Sequence, residues 1–172
     1  MDITNSYINS LLNEIESVSD NLPGCSVDTV YFGGGTPSIL EPVQIERIIN
    51  LLSEKFDICC GSEITIEMNP DDLKKEKLDG FIHAGITRIV LGVQTLDITH
   101  LSRIGRKGRP VSDADLDLFF SRRKFTRCLD IIAGLPDQTW PELLNDLEKM
   151  CAYRPEHISL YLLSVDDNTP LG

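Results

Sequence analysis

Three consecutive glycines, Gly33, Gly34 and Gly35, follow the apolar run Thr29-Val30-Tyr31-Phe32 and lead into Thr36-Pro37. The run has the β-branched and aromatic content of a buried strand, and glycines at its exit remove every Cβ where a polar ligand would touch backbone. A tight strand-to-helix turn accounts for the same residues, because Pro42 with Ile45, Ile48, Ile49 and Leu52 announces a helix soon afterwards. Other groups able to do chemistry sit at comparable places. Glu67 stands in Glu67-Met68-Asn69-Pro70, Gln94 follows Gly92-Val93, Asp130 precedes Ala133-Gly134-Leu135-Pro136, and Ser164 ends the run that starts at His157. Eight of the 16 basic residues fall between Arg103 and Arg127; most of such a run is a solvated face, while one or two members, such as Arg106, could clamp a carboxylate.

The remaining reactive residue types point away from metal binding and from nucleic acid. Cys25, Cys59, Cys60, Cys128 and Cys151 are odd in number and contain no C-x-x-C, so free thiols in a reducing compartment are expected. The three histidines, His83, His100 and His157, are isolated in sequence and read more simply as ordinary residues than as ligands. A net charge of −11 argues against a partner bound by phosphate neutralisation. The N-terminus has neither a basic nor an apolar targeting region, and the strongest apolar stretch, around Leu160 to Val165, is too short to span a bilayer; a cytoplasmic protein is expected.

These residues need elements to place them. Tyr7, Ile8, Leu11, Leu12, Ile15 and Val18 recur at helical spacing until Asn21-Leu22-Pro23-Gly24 stops them. The chain then alternates: a strand at Thr29–Phe32, a helix near Pro42–Leu52, a strand at Glu63–Met68, a helix near Leu73–His83 closed by Gly85, and a strand at Arg88–Val93. A helix from Ser112 and Asp115 through Leu116 and Phe119, a strand at Cys128–Ile132, a helix opened by Thr139 with Glu142, and a strand at His157–Leu163 complete the series. Alternation of this kind predicts parallel pairing and an α/β class, in one domain over residues 1–172. Ligands of parallel α/β folds collect where strands end. Five successive strands with polar groups or glycines at their exits favour a binding site on that rim.

Taken together and in order, GGGTPS, EITIEMNPDDL, AGITRIVLGVQTLD, IGR, DIIAGLPDQTW and EHISLYLLSVDDNTP resemble radical S-adenosylmethionine (SAM) proteins of the oxygen-independent coproporphyrinogen III oxidase family. The resemblance runs from about Tyr7 to Pro170 and leans, at Glu67–Pro70, Ile104–Arg106 and Glu156–Tyr161, toward a heme-chaperone-like branch. It implies a partial (β/α)6 barrel with SAM across its rim and a [4Fe-4S] cluster that reduces the sulfonium. Carried over by residue, Gly34, Gly35 and Thr36 meet the methionine amino group, and Glu67 holds the nucleoside and amino-acid portions. Gln94 bonds the ribose hydroxyls, Arg106 pairs with the methionine carboxylate, Asp130 adds a contact on the ribose side, and Ile132 and Ser164 lie near the adenine. The residue types suit these roles: arginine offers a planar fork, glutamate accepts from an ammonium, and glutamine can both donate and accept. Each has a plainer reading, with Glu67 as a helix cap, Arg106 as a solvated base and Asp130 as a carboxylate bonded to backbone amides.

The sequence also departs from the family pattern. The C-x3-C-x2-C loop of the family's first barrel strand is not in this stretch, the C-terminal family domain is expected beyond Gly172, and Gly108 stands where the family usually has histidine. Cys25 and Cys59-Cys60 are expected where strands begin, on the rim away from the cofactor. The chain therefore reads as a partial barrel without its first strand, truncated at both ends, with a shelf for SAM and no cluster ligands of its own. Three functions follow: a radical enzyme of tetrapyrrole metabolism or part of one, a heme-binding or heme-delivery chaperone using one of the histidines, or an inert remnant with no ligand; in each case self-association through an exposed strand edge is expected.

Overall fold

The computed structural model describes residues 3–166, 168 and 171. Helix α1 (Ile3–Ser19) comes first, and after it strands and helices alternate as β1 (Ser26–Phe32), α2 (Pro42–Lys55), β2 (Asp57–Met68), α3 (Lys75–His83) and β3 (Arg88–Gln94). Then follow α4 (Ile98–Arg103), α5 (Asp113–Phe120), β4 (Thr126–Ala133), α6 (Trp140–Ala152) and β5 (His157–Leu162). The five strands lie in chain order in one sheet, and every neighbouring pair is parallel. Each crossover therefore carries helix, and the strands form a curled half-barrel.

Alternation along the strands sorts the two faces. Ile64, Ile66 and Met68 of β2, Ile89, Leu91 and Val93 of β3, and Leu129, Ile131 and Ala133 of β4 are buried in the core. They pack with Ile45 and Ile49 of α2, Leu78 and Phe81 of α3, Leu116 and Phe119 of α5, and Leu143 and Met150 of α6. The alternate positions are mixed and carry the polar groups: Thr65 and Glu67, Arg88 with Val90 and Gly92, Cys128 and Asp130 with Ile132. The periodicity that packs one face against the helices thus leaves a chemically distinct face opposite it.

Helix starts follow local capping chemistry. Thr139 N–H and Oγ1 both donate to Glu142 Oε2, at 2.7 and 2.8 Å, to begin α6; Ser112 and Asp115 form the equivalent box for α5. Two expectations are corrected. Strand β2 starts six residues earlier than the expected Glu63, because Asp57 and Ile58 pair with Ser26 and Val27; Cys59 and Cys60 accordingly lie near its start. The short helix α4 has no counterpart in the sequence reading; its six residues are too few to display a periodicity.

Candidate functional site

Four strand exits and the turn after α4 converge on an open cleft of about 310 Å³. Gly35 and Thr36 come from the loop after β1, Glu67 and Asn69 from the end of β2, and Gly92 and Gln94 from the end of β3. Asp130 of β4 and the pair Arg106-Lys107 complete the polar lining. Of the residues singled out from sequence, Gly35, Thr36, Glu67, Gln94, Arg106 and Asp130 are brought together here. Gly34 borders the neighbouring apolar groove between α1 and the same loop. Ile132 is half-buried two residues beyond Asp130, and Ser164 is exposed past β5; neither lines the cleft.

The glycine loop is tied down by a residue the sequence reading passed over. Ser38 is fully buried; its Oγ donates to Asp72 Oδ2 at 2.7 Å and accepts from the backbone N–H of Asn69 at 2.9 Å, locking the loop after β1 to the turn after β2. Asn69 rather than Glu67 caps that turn, through Asp71 N–H. Glu67 is thereby left for other work. Tyr31 Oη donates to Glu67 Oε1 at 2.9 Å, and the tyrosine ring folds back over Gly33, where a Cβ would stand 2.6 Å from Cε1. Burial, followed by the Glu67 carboxylate, pushes the Tyr31 phenol well above its ordinary value, so it stays a donor.

Gln94 occupies an unusual backbone. Its φ is +67°, and Thr95 N–H bonds Val93 C=O at 2.8 Å, a three-residue turn at the register shift between Gly92 and Gln94. A non-glycine residue held this way costs about 1–3 kcal/mol unless its surroundings impose it. The result is a buried Gln94 whose side chain folds over Gly92, where a Cβ would meet Nε2 at 3.1 Å and Arg106 Nη1 at 3.8 Å.

Arg106 owes its position to α4. Asp97 Oδ1 accepts from Thr99 and His100 N–H at 2.6 and 3.2 Å to start this helix, and Gly105 at φ +70° turns the chain so that Arg106 N–H bonds Leu101 C=O at 3.1 Å. Among the described residues, no carboxylate lies within ion-pair distance of Arg106 or Lys107. Gly108 has a φ of +135°, and a Cβ there would stand 2.8 Å from Asp71 Oδ2, so the local backbone is built for glycine. Asp130 is half-buried; burial first, and Glu67 in addition, raise its carboxyl above the ordinary range, with Ser159 hydrogen bonding in opposition. No backbone amide donates to the Asp130 carboxylate among the described residues.

The cysteines are free: Cys128 is buried, Cys25 and Cys59 half-buried, Cys60 and Cys151 exposed. Among the described residues no three His, Cys, Asp or Glu side chains gather as a metal set. His100 is buried, with Nδ1 3.1 Å from Pro136 C=O and Nε2 3.5 Å from Glu142 Oε2, whereas His83 and His157 are exposed. No helix among the described residues is long and apolar enough to cross a membrane.

A carboxylate, an amide, a guanidinium without a carboxylate partner among the described residues, and side-chain-free backbone around one cleft suit a zwitterionic, hydroxylated ligand. Residues 5–150 match the model of the Radical SAM superfamily. The chain belongs to this superfamily. Over 169 residues, this radical SAM chain is 32% identical to the heme chaperone HemW of Escherichia coli strain K12, covering 96% of itself and 44% of that protein. It is 35% identical over 164 residues to HemW of Lactococcus lactis, covering 95% of itself and 42% of the relative. Its structure resembles coproporphyrinogen III oxidase (HemN) from Escherichia coli, described as a radical SAM enzyme, with a TM-score of 0.81 and 27% identity over 93% of this chain and 37% of that one. The radical SAM stretch seen here thus spans less than half the length of these relatives.

Proposed function

We propose that the polar cleft is the SAM shelf of a radical SAM protein acting in heme or porphyrin metabolism, with residues 1–172 as part of its core domain. One observation carries the reading: Gly35, Thr36, Glu67, Gln94, Arg106 and Asp130, distant in sequence, share one cleft, and its guanidinium has no carboxylate partner among the described residues. Arg106 holds the methionine carboxylate by a planar two-point contact, and Glu67, with one oxygen engaged by Tyr31, offers the other to the ammonium. Gln94 and Asp130 address the ribose hydroxyls, and Gly34 with Gly35 lets the ligand approach backbone. Ile132 and Ser164 are assigned to the adenine side. SAM together with a [4Fe-4S] cluster supplies radical chemistry in this superfamily.

The bound substrate is a tetrapyrrole in this reading, the protein is cytoplasmic, and nucleic acid is no partner. Calorimetry with SAM tests the shelf. Arg106→Ala is expected to weaken binding by about tenfold to a hundredfold, the value of a charge-assisted contact. Equal affinity for the parent and the variant would sink this assignment.

The names of the HemW relatives favour a second reading, heme delivery on the same fold. His83 or His157 is then the axial ligand, since both ring nitrogens of His100 face protein oxygens. Titration with heme, read at the Soret band in the parent and in His83→Ala and His157→Ala variants, distinguishes this from SAM binding alone.

A further inference from the structure

Asp146 lies on α6, outside the cleft lining, and yet is buried to 5% exposure. A single carboxyl oxygen, Oδ2, accepts from Thr95 Oγ1 at 2.7 Å and from the backbone N–H of Leu96 at 3.1 Å. Thr95 is itself fully buried, and its hydroxyl oxygen accepts from Asp97 N–H at 3.2 Å. These bonds hold the residues immediately after Gln94, a non-glycine residue displayed from a left-handed turn. Such a backbone persists only where surrounding contacts over-determine it. Asp97 in turn caps α4, the helix that leads to Arg106.

We infer that Asp146 is a positioning residue for the SAM site, acting from α6 through Thr95 and Leu96 to hold Gln94 in its left-handed turn with its amide over Gly92. This deepens the proposed function and rests on Gln94 contacting the ribose hydroxyls. Burying an aspartate in a helix that could carry a leucine there is costly unless its acceptors are used, and both bonds go to the segment beside Gln94. Helix α6 is thereby coupled to the ligand without touching it.

The test is calorimetric SAM binding by the chain in four forms: parent, Asp146→Leu, Gln94→Ala and the double variant. Asp146→Leu is expected to weaken binding by about tenfold, the effect of losing charged hydrogen bonds. The same substitution in the Gln94→Ala background is expected to add no loss, because contacting residues couple in a double-mutant cycle. Asp146→Asn, which keeps an acceptor oxygen, should restore affinity to within about threefold of the parent. Thr95→Val serves if Asp146→Leu does not fold, as judged by circular dichroism; its loss should likewise vanish when Gln94 is alanine.

Unchanged affinity in Asp146→Leu, with a weakened Gln94→Ala, overturns the inference and leaves the site standing. An equal loss in both backgrounds also overturns it, since that is the signature of a merely structural residue. No effect of Gln94→Ala on binding, or no SAM binding by the parent, removes the site assignment and the inference with it.

Discussion

Asp130 illustrates how a single residue trades stability against a binding face. Its carboxyl is raised in the folded chain, mainly by burial and then by Glu67. A raised acid binds its proton more tightly when folded, so its contribution is fully present below the unfolded value near 3.8 and is lost as pH rises through the folded value. At neutral pH the ionised side chain is therefore a cost. Asp130→Asn is expected to melt higher than the parent at pH 7, with the gap closing toward pH 3, as followed by circular dichroism. Weaker SAM binding should accompany the gain, in keeping with the trade between site chemistry and stability.

Short elements set the geometry of the cleft as much as the strands do. The six-residue helix α4 is held by its buried His100 and Leu101 and by its cap, Asp97. Asp97→Ala is expected to cost about 0.5–2 kcal/mol in denaturant unfolding. It should also weaken SAM binding, because Arg106 follows directly from the Gly105 turn that ends the helix. By contrast α3 is anchored through its apolar face, with Leu78 and Phe81 fully buried. Phe81→Ala is expected to cost about 3–5 kcal/mol with no direct effect on the cleft.

At the scale of the molecule, the floor of the half-barrel is fastened by Arg127 and Glu156, which link β4 to the start of β5. Arg127 N–H and Nε donate to Glu156 Oε2 at 2.9 and 2.8 Å, and Arg127 Nη2 pairs with Oε1. The guanidinium hydrogen bond holds the Glu156 carboxyl down at about 2, against an ordinary 4.5. Because the folded value is the lower one, this stabilisation is complete above about 4.5 and is lost as pH falls from 4.5 toward 2. Glu156→Gln should flatten the acid limb of a melting-temperature profile across that window. The sheet's outer strands have a further consequence. Leu160, Tyr161 and Leu162 of β5 are 51%, 54% and 82% exposed, and Tyr31 of β1 is 56% exposed. Edges of this kind pair with other chains, so light scattering is expected to report association that grows with protein concentration.

Much of this architecture was legible in the sequence because it rests on periodicity and punctuation. The five strands, the order of the helices around them, the capping residues Ser112 and Thr139, and the rim that carries Glu67, Gln94 and Asp130 all follow from local patterns that a linear reading can see. The start of β2 did not, since Asp57 and Ile58 are strand only by pairing with β1. Nor did α4, too short to show a period. The buried polar residues Ser38, Thr95 and Asp146 were also silent, because each is made useful by a partner at least 31 positions away: Ser38 and Asn69 are 31 apart, Thr95 and Asp146 51. A serine or aspartate has no sequence signature for being buried with its bonds satisfied. Local chemistry determined which residues stand at the strand ends; only the packed half-barrel decided which of them share a cleft and which distant side chains hold them there.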